Sequence, residues 1–374
     1  MVLEETARGL KVWEKVDGAL QGPKSGRGYE PHELVQALVW MLHAGGRRLE
    51  DLRELQAERE ALERVRQEVA AECLAGEPEE LILDVEATEI EAEKQEAAWT
   101  YNHVKGYMPM RGYVNGWCVG FEFREGNVSP GAGILRFARK CEAALPEGKR
   151  IYLRSDSAAY QAEVINYYSQ PGRRFTITAD LDQAVRREIR HLPETTWQAY
   201  RTAEGLGTDR EIAETVHTMN GTEQAFRLIV WRWPNPQPSL FVADQYCYHA
   251  VATNREEAAS EVIWRHNQRG ESENWHKELK SGLGMEQMPW GEFEANAMYF
   301  AIGVLAYNLA QELKRRVLPE SYRTATAATL RWKLYRLAGK RVRHARGWVL
   351  RVKADLEKWR LLESARLACA PLGG

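Results

Sequence analysis

Four carboxylates make the best case for chemistry in this chain. Asp84 and Glu86 lie in Leu-Ile-Leu-Asp-Val-Glu-Ala-Thr, Asp156 in Leu-Arg-Ser-Asp-Ser, and Glu273 in Arg-Gly-Glu-Ser-Glu-Asn-Trp. Carboxylates that converge with no histidine or cysteine in the set are hard oxygen ligands, suited to Mg2+ or, in its place, Mn2+. Two such ions about 4 Å apart can activate a water or a 3′-hydroxyl and stabilise the leaving oxygen of a phosphodiester. Arg269 and Lys280 flank Glu273 four residues before and seven after, offsets that share one helix face, with Trp275 and Leu279 turned inward. The plain alternative for that stretch is a solvated helix with one ion pair worth about 0.3–0.5 kcal/mol.

Each acid needs an element to carry it. Residues 81–88 form a short apolar strand with its two acids at i and i+2, hence on one face, and burying both without a ligand would be costly. Residues 113–123 give one or two further strands, and 132–144 a helix. Residues 150–155 form another apolar strand, with Asp156 at its carboxyl end, where ligands gather in α/β sheets. Ser157-Ala-Ala-Tyr160 then leads into a helix, which Asp156 could also cap. Segments 174–178, 226–233 and 240–252 are β-like. Residues 256–283 and 295–318 are helical, and the tail to about 365 is basic and mostly helical. Ahead of all this, 1–82 is largely helical. Pro31 opens one helix, and a charge-rich second helix runs from about Leu49 to Leu74.

The whole chain has 374 residues, 44% apolar and 28% charged, enough for one large core with smaller modules. Its five cysteines are scattered without a C-x-x-C, which argues against a zinc knuckle or a disulfide framework. The start lacks a basic-then-apolar leader, and the most apolar run, near 297–310, is too short to span a bilayer, so a cytoplasmic protein without a membrane partner is expected. The net charge of −2 hides a polarised distribution. Residues 50–96 hold 17 acidic and 5 basic side chains, and residues 314–353 hold 13 basic and 1 acidic. The second stretch fits a polyanion surface.

In their order these motifs resemble the DDE transposases of bacterial insertion sequences. The third acid of one group lies in Tyr-x-x-Arg-x-x-x-Glu-x-x-x-x-x-x-Lys, a frame filled here by His266, Arg269, Glu273 and Lys280. Leu83-Asp-Val-Glu-Ala-Thr88 resembles the first-acid strand, and Lys105-Gly-Tyr-Met-Pro109 and Arg124-Glu-Gly-Asn127 the segments after it. Leu153-Arg-Ser-Asp-Ser157 resembles the second-acid strand, and Ala252-Thr-Asn254 precedes the third-acid helix as in the family. The resemblance spans roughly residues 80–350. Two positions depart from it: Glu86 stands where the family has aspartate, and His266 where it has tyrosine. Either Asp84 or Glu86 can fill the first position. Asp84-x-Glu86-x-Thr88 also echoes the aspartate loop of haloacid-dehalogenase-type phosphatases, but no matching acidic loop follows Asp156.

The resemblance implies an α/β fold with an RNase H-like core and a β-rich insertion between the second and third acids. It divides the chain into a helical region 1–78, core 79–173, insertion 174–252, third-acid core 253–318 and basic helical region 319–374. It implies nicking dependent on two Mg2+ ions, then strand transfer, at an element's terminal inverted repeats. The metal set would be Asp84, Glu86, Asp156 and Glu273. Phosphates would be held by His266, Arg269 and Lys280, and the duplex further out by Lys314, Arg315, Arg331, Lys340, Arg341 and Arg343. Trp197, Trp231 and Trp233 are candidates for stacking on a flipped base. The expected partners are the double-stranded element ends, target DNA and a second copy of the chain on DNA, in a nucleoid setting. A catalytically impaired DNA-binding derivative and a stand-alone RNase H-like nuclease are the rival readings.

Overall fold

The computed structural model of the chain describes residues 2–22, 29–45, 59–201, 205–237, 245–336, 338–344, 347–353 and 355–369. Four helices come first: α1 (Val2–Gly9), α2 (Val12–Ala19), α3 (Pro31–Ala44) and α4 (Arg59–Leu74). Pro31 opens α3 where its missing N–H costs nothing, Glu30 and Glu33 cap it reciprocally, and Gly45 at φ 90° closes it. The charge-rich helix expected from Leu49 is seen from Arg59, and positions 49–58 lie outside the described residues.

The chain then alternates strands and helices. β1 (Glu80–Ala87) leads into β2 (Ile90–Glu91), β3 (Ala98–Trp99) and β4 (Lys105–Tyr107), which form a small sheet ordered β2-β4-β3. β5 (Met110–Val114), β6 (Trp117–Glu122), α5 (Ile134–Glu142), β7 (Arg150–Ser155), α6 (Ala162–Tyr168), β8 (Arg173–Thr178) and α7 (Gln183–His191) follow. Next come β9 (Gln198–Arg201), β10 (Gly207–His217), β11 (Phe226–Pro234) and β12 (Tyr246–Thr253), then α8 (Ala259–Asn267), α9 (Gly270–Lys277), α10 (Phe293–Glu312) and α11 (Ala327–Leu330). β13 (Ala338–His344), β14 (Gly347–Lys353) and α12 (Leu356–Cys369) end the chain.

Nine strands share one mixed sheet, ordered β6-β5-β1-β7-β8-β12-β11-β10-β9. β1, β7 and β8 run parallel at its centre, with antiparallel strands on both sides. On β1, Leu81, Leu83 and Val85 enter the core while the alternate face carries Asp84 and Glu86. The β-rich stretch between Asp156 and α8 continues this sheet: β12 pairs with β8 from Val251↔Thr178 to Thr253↔Thr176. Main-chain hydrogen bonding thus extends from the acid strands to β9.

α10 is apolar around its whole circumference and nearly every residue from Ala295 to Glu312 is buried, as befits a central helix. It packs on α3, α4 and β6. Among the described residues no helix is long and apolar enough to cross a membrane. The tail corrects one expectation. Where residues 319–374 suggest a mostly helical basic region, 338–344 and 347–353 pair as antiparallel strands β13 and β14, from Ala338↔Lys353 to His344↔Gly347. Val342, Val349, Leu350 and Val352 supply the β-branched and apolar character of those strands, which the count of basic residues obscures.

Candidate active site at the ends of the central parallel strands

Asp84 and Glu86 share a strand face but not an environment. Asp84 lies beside Arg154 in the parallel β1–β7 register, and the two are buried together. Arg154 donates from Nε to Asp84 Oδ1 at 2.6 Å and from Nη2 to Oδ2 at 2.7 Å, and from Nη1 to Arg265 O at 2.8 Å. Burial pushes the Asp84 carboxyl up and Arg154 pulls it down. With both oxygens forked by one guanidinium, the ion pair is the state the geometry holds. Both Asp84 oxygens are committed to it.

Glu86, one residue from the end of β1, is partly buried and faces two arginines and a histidine. Arg269 Nη1 donates to its Oε2 at 3.3 Å, and His276 Nε2 approaches the same oxygen to 3.2 Å, off the angle of a good hydrogen bond. Arg111 stands directly opposite on β5, fully buried, and none of its guanidinium nitrogens hydrogen bonds to a described residue. Burial pushes the Glu86 carboxyl up, but His276, Arg269 and Arg111 outweigh it and hold the acid below the usual glutamate range. Burial, helped by Arg111, takes His276 itself down to about 4. At neutral pH the two arginines therefore carry that stabilisation.

Asp156 follows β7 at once. One of its oxygens accepts from Ala158 N at 3.1 Å and caps the short turn 157–159, so the capping role is real and leaves the second oxygen free of that bond. Burial raises its carboxyl, Arg269 draws it back, and Glu86 and Asp180 push it further up. Asp156 lines a cleft of about 650 Å3 together with Tyr101, Pro130, Tyr160, Gln161 and Asp180.

Glu273 enters from α9, its side chain 65% exposed, with Arg269 Nη2 3.9 Å from its Oε1. The helix is not continuous: α8 ends at Asn267, Arg269 precedes α9 without a side-chain cap, and Leu283 N bonds five residues back to Glu278 O in a wide final turn. That turn brings Lys280 back to Glu89 O at 3.2 Å, on the loop after β1. Leu279 is buried and Trp275 partly so, as their spacing suggests. Arg269 thus touches Glu86 and Glu273 and acts on Asp156. Among the described residues no group of three or more His, Cys, Asp or Glu side chains stands close enough to hold one ion. The donor set fits a hard divalent cation, because Glu86, Asp156 and Glu273 offer carboxylate oxygens alone. To bring them onto one ion, the Arg269 guanidinium has to release Glu86.

Several expected DNA contacts lie elsewhere. His266 is 3% exposed, between the hydroxyls of Thr178 and Thr176, each at 3.1 Å, and burial lowers its pKa to about 3. It is a neutral core residue and does not face a phosphate. Lys314 is buried and donates to Ala325 O; Arg315 bonds to Asn115 O and pairs with Glu77. Arg331 bonds to Leu42 O, His43 O and Gly282 O, closing the C-terminus of α3. These three are struts between elements. Lys340 and Arg343 are exposed on β13, the strand that also carries Arg341. The insertion tryptophans each have a covered ring. Arg232 lies 4.1 Å over Trp197, Arg210 5.2 Å over Trp233, and Trp231 is buried with His249 at 4.3 Å. Sequence reasoning missed Arg154, Arg111, His276 and Asp180. The available signal was a lone arginine inside each of two apolar strands, Ile-Tyr-Leu-Arg-Ser and Met-Arg-Gly-Tyr-Val.

The family model described as transposase DDE domain group 1 matches residues 46–369, nearly the whole chain and every residue of the site. No curated protein matches the chain.

Proposed function

The chain belongs to the transposase DDE domain family, and from that premise we propose that it nicks DNA at the terminal inverted repeats of an insertion sequence and then joins the freed end to target DNA. In the first step a water attacks phosphorus and the P–O3′ bond breaks, leaving a 3′-hydroxyl. In the second, that 3′-oxygen forms a new bond to a target phosphorus while the target's own P–O3′ bond breaks.

The observation that carries this reading is the placement of Glu86 and Asp156 at the carboxyl ends of neighbouring parallel strands, with Glu273 joined to them through Arg269. Glu86, Asp156 and Glu273 would hold Mg2+, or Mn2+ in its place. A divalent ion there supplies Lewis-acid polarisation of the phosphoryl oxygen and lowers the pKa of the attacking water. Glu86 takes the first position in place of the family's aspartate, because Asp84 is engaged by Arg154. Arg269 and Lys280 border the acids and would take the phosphate, so a DNA phosphate that recruits Arg269 also frees Glu86. The RNase H-like reading of the core is supported by the parallel strands that bear the acids, and a dimer on DNA by the need to bring two ends together.

The test is nicking of a duplex carrying the element end, in Mg2+, by wild type and Asp156→Ala. Cleavage by the wild type alone supports the enzyme. Binding of the end with no cleavage by either moves the assignment to a DNA-binding derivative.

A further inference from the structure

An aromatic ring left in water at the mouth of a polar cleft forgoes stabilisation that burial would supply. Trp99 and Tyr101 are 62% and 63% exposed. Thr100 between them is buried and donates its N–H to Val104 O at 2.8 Å, while both rings are open to solvent. His103 N closes the turn onto Thr100 O at 3.1 Å with His103 at φ 61°.

The small sheet holding these rings is fixed to the core. A Cβ at Gly126 would lie 2.5 Å from both Ala98 O and Gly106 O, so β3 and β4 rest backbone to backbone on that glycine, and Tyr107 pairs with Glu125 beside it. Tyr101 forms a wall of the cleft that contains Asp156 and Asp180. Trp99 is the cross-strand partner of Lys105, so the two side chains leave the same face of the small sheet. An aromatic ring with a cation on the same sheet face matches a nucleotide taken out of its stack: the base lies on the ring and its phosphate meets the lysine. Trp197, Trp231 and Trp233 lack that opening, since an arginine or a histidine already covers each of them.

We propose that Trp99 and Tyr101 are a stacking platform for unpaired bases flanking the scissile phosphate, with Lys105 as its phosphate contact. The proposal rests on the transposase reading of the Asp156 cleft. It is tested by fluorescence anisotropy in Ca2+ with two element-end duplexes, one fully paired and one with three unpaired nucleotides at the cleavage position. Wild type is expected to prefer the unpaired probe, and the Trp99→Ala/Tyr101→Ala variant to lose that preference, about 5- to 150-fold per stacked base. Binding to the paired probe should be unchanged in the variant, and Trp99→Phe should retain part of the preference. Equal loss on both probes, or a preference that survives the double substitution, overturns the platform. A variant that instead becomes monomeric in sedimentation, with its probe preference intact, would assign the rings to a second copy and also overturn it. If wild type binds neither probe, the DNA function itself fails, a result distinct from the others.

Discussion

The floor and the rim of the candidate site are built from the same residue types and behave differently. In the floor, Asp84, Arg154 and His266 have their polar atoms matched at 2.6–3.1 Å and are shut off from water. In the rim, Arg269 meets Glu86 at 3.3 Å and Glu273 at 3.9 Å, and Asp156 commits one oxygen to a cap. A buried charge whose hydrogen bonds are all matched fixes a structure, because removing its partner strands it. A charge held by long, partial contacts can exchange them for a ligand. Saturation of contacts, more than residue type, separates framework from function here.

The widest separation should come from the rim. Asp156→Ala and Glu86→Gln are expected to cut Mg2+-dependent nicking about 1,000-fold or more, while the cap lost in Asp156→Ala costs only about 0.5–2 kcal/mol in urea unfolding. Cleavage by Glu86→Gln at a tenth of the wild-type rate would return the first position to Asp84.

Asp84→Asn probes the floor. It leaves Arg154 a buried cation without its counter-charge and should cost about 3–5 kcal/mol in urea unfolding, with cleavage persisting in the molecules that remain folded. A cost under about 1 kcal/mol would remove the distinction drawn between floor and rim.

Acid should also loosen the fold. Burial holds His266 to about 3 and His43 and His276 to about 4, each below the ordinary histidine value. The unfolded chain then binds more protons as pH falls below about 6.5, so this stability is present above that value and is lost towards pH 4 and 3. Each histidine contributes a slope of about 1.4 kcal/mol per pH unit in that window. His266→Gln should flatten the dependence of unfolding free energy on pH between 6 and 4, and an unchanged slope would contradict a neutral, enclosed His266.

The smallest effect is expected far from both regions. Lys340→Gln/Arg343→Gln, two exposed positions on opposite faces of β13, should lower the slope of log binding constant against log salt by about 0.9 for each phosphate that is no longer neutralised. A slope equal to wild type would take β13 out of the DNA footprint.

Much of the chemistry was legible in the linear chain, because it depends on local order. Period-2 alternation placed Asp84 and Glu86 on one strand face, and Asp156 stands directly after an apolar strand. The four-residue offset brought Arg269 to 3.9 Å from Glu273, whereas a wide turn after α9, and not the seven-residue offset, carries Lys280 to the loop after β1. The family frame then ordered these motifs along the chain, and the family match covers all of them.

What the linear chain could not decide is which charges meet each other and which meet water. Asp84 and Arg154 are seventy positions apart, and only the β1–β7 register joins them and leaves Glu86 available. Arg331 reads as a DNA contact in a run of basic residues, yet it closes a helix almost three hundred positions earlier. A strand's periodicity is a property of its own backbone, whereas the partner of a charge is set by whichever element packs beside it, and that is settled only when the sheet and helices assemble.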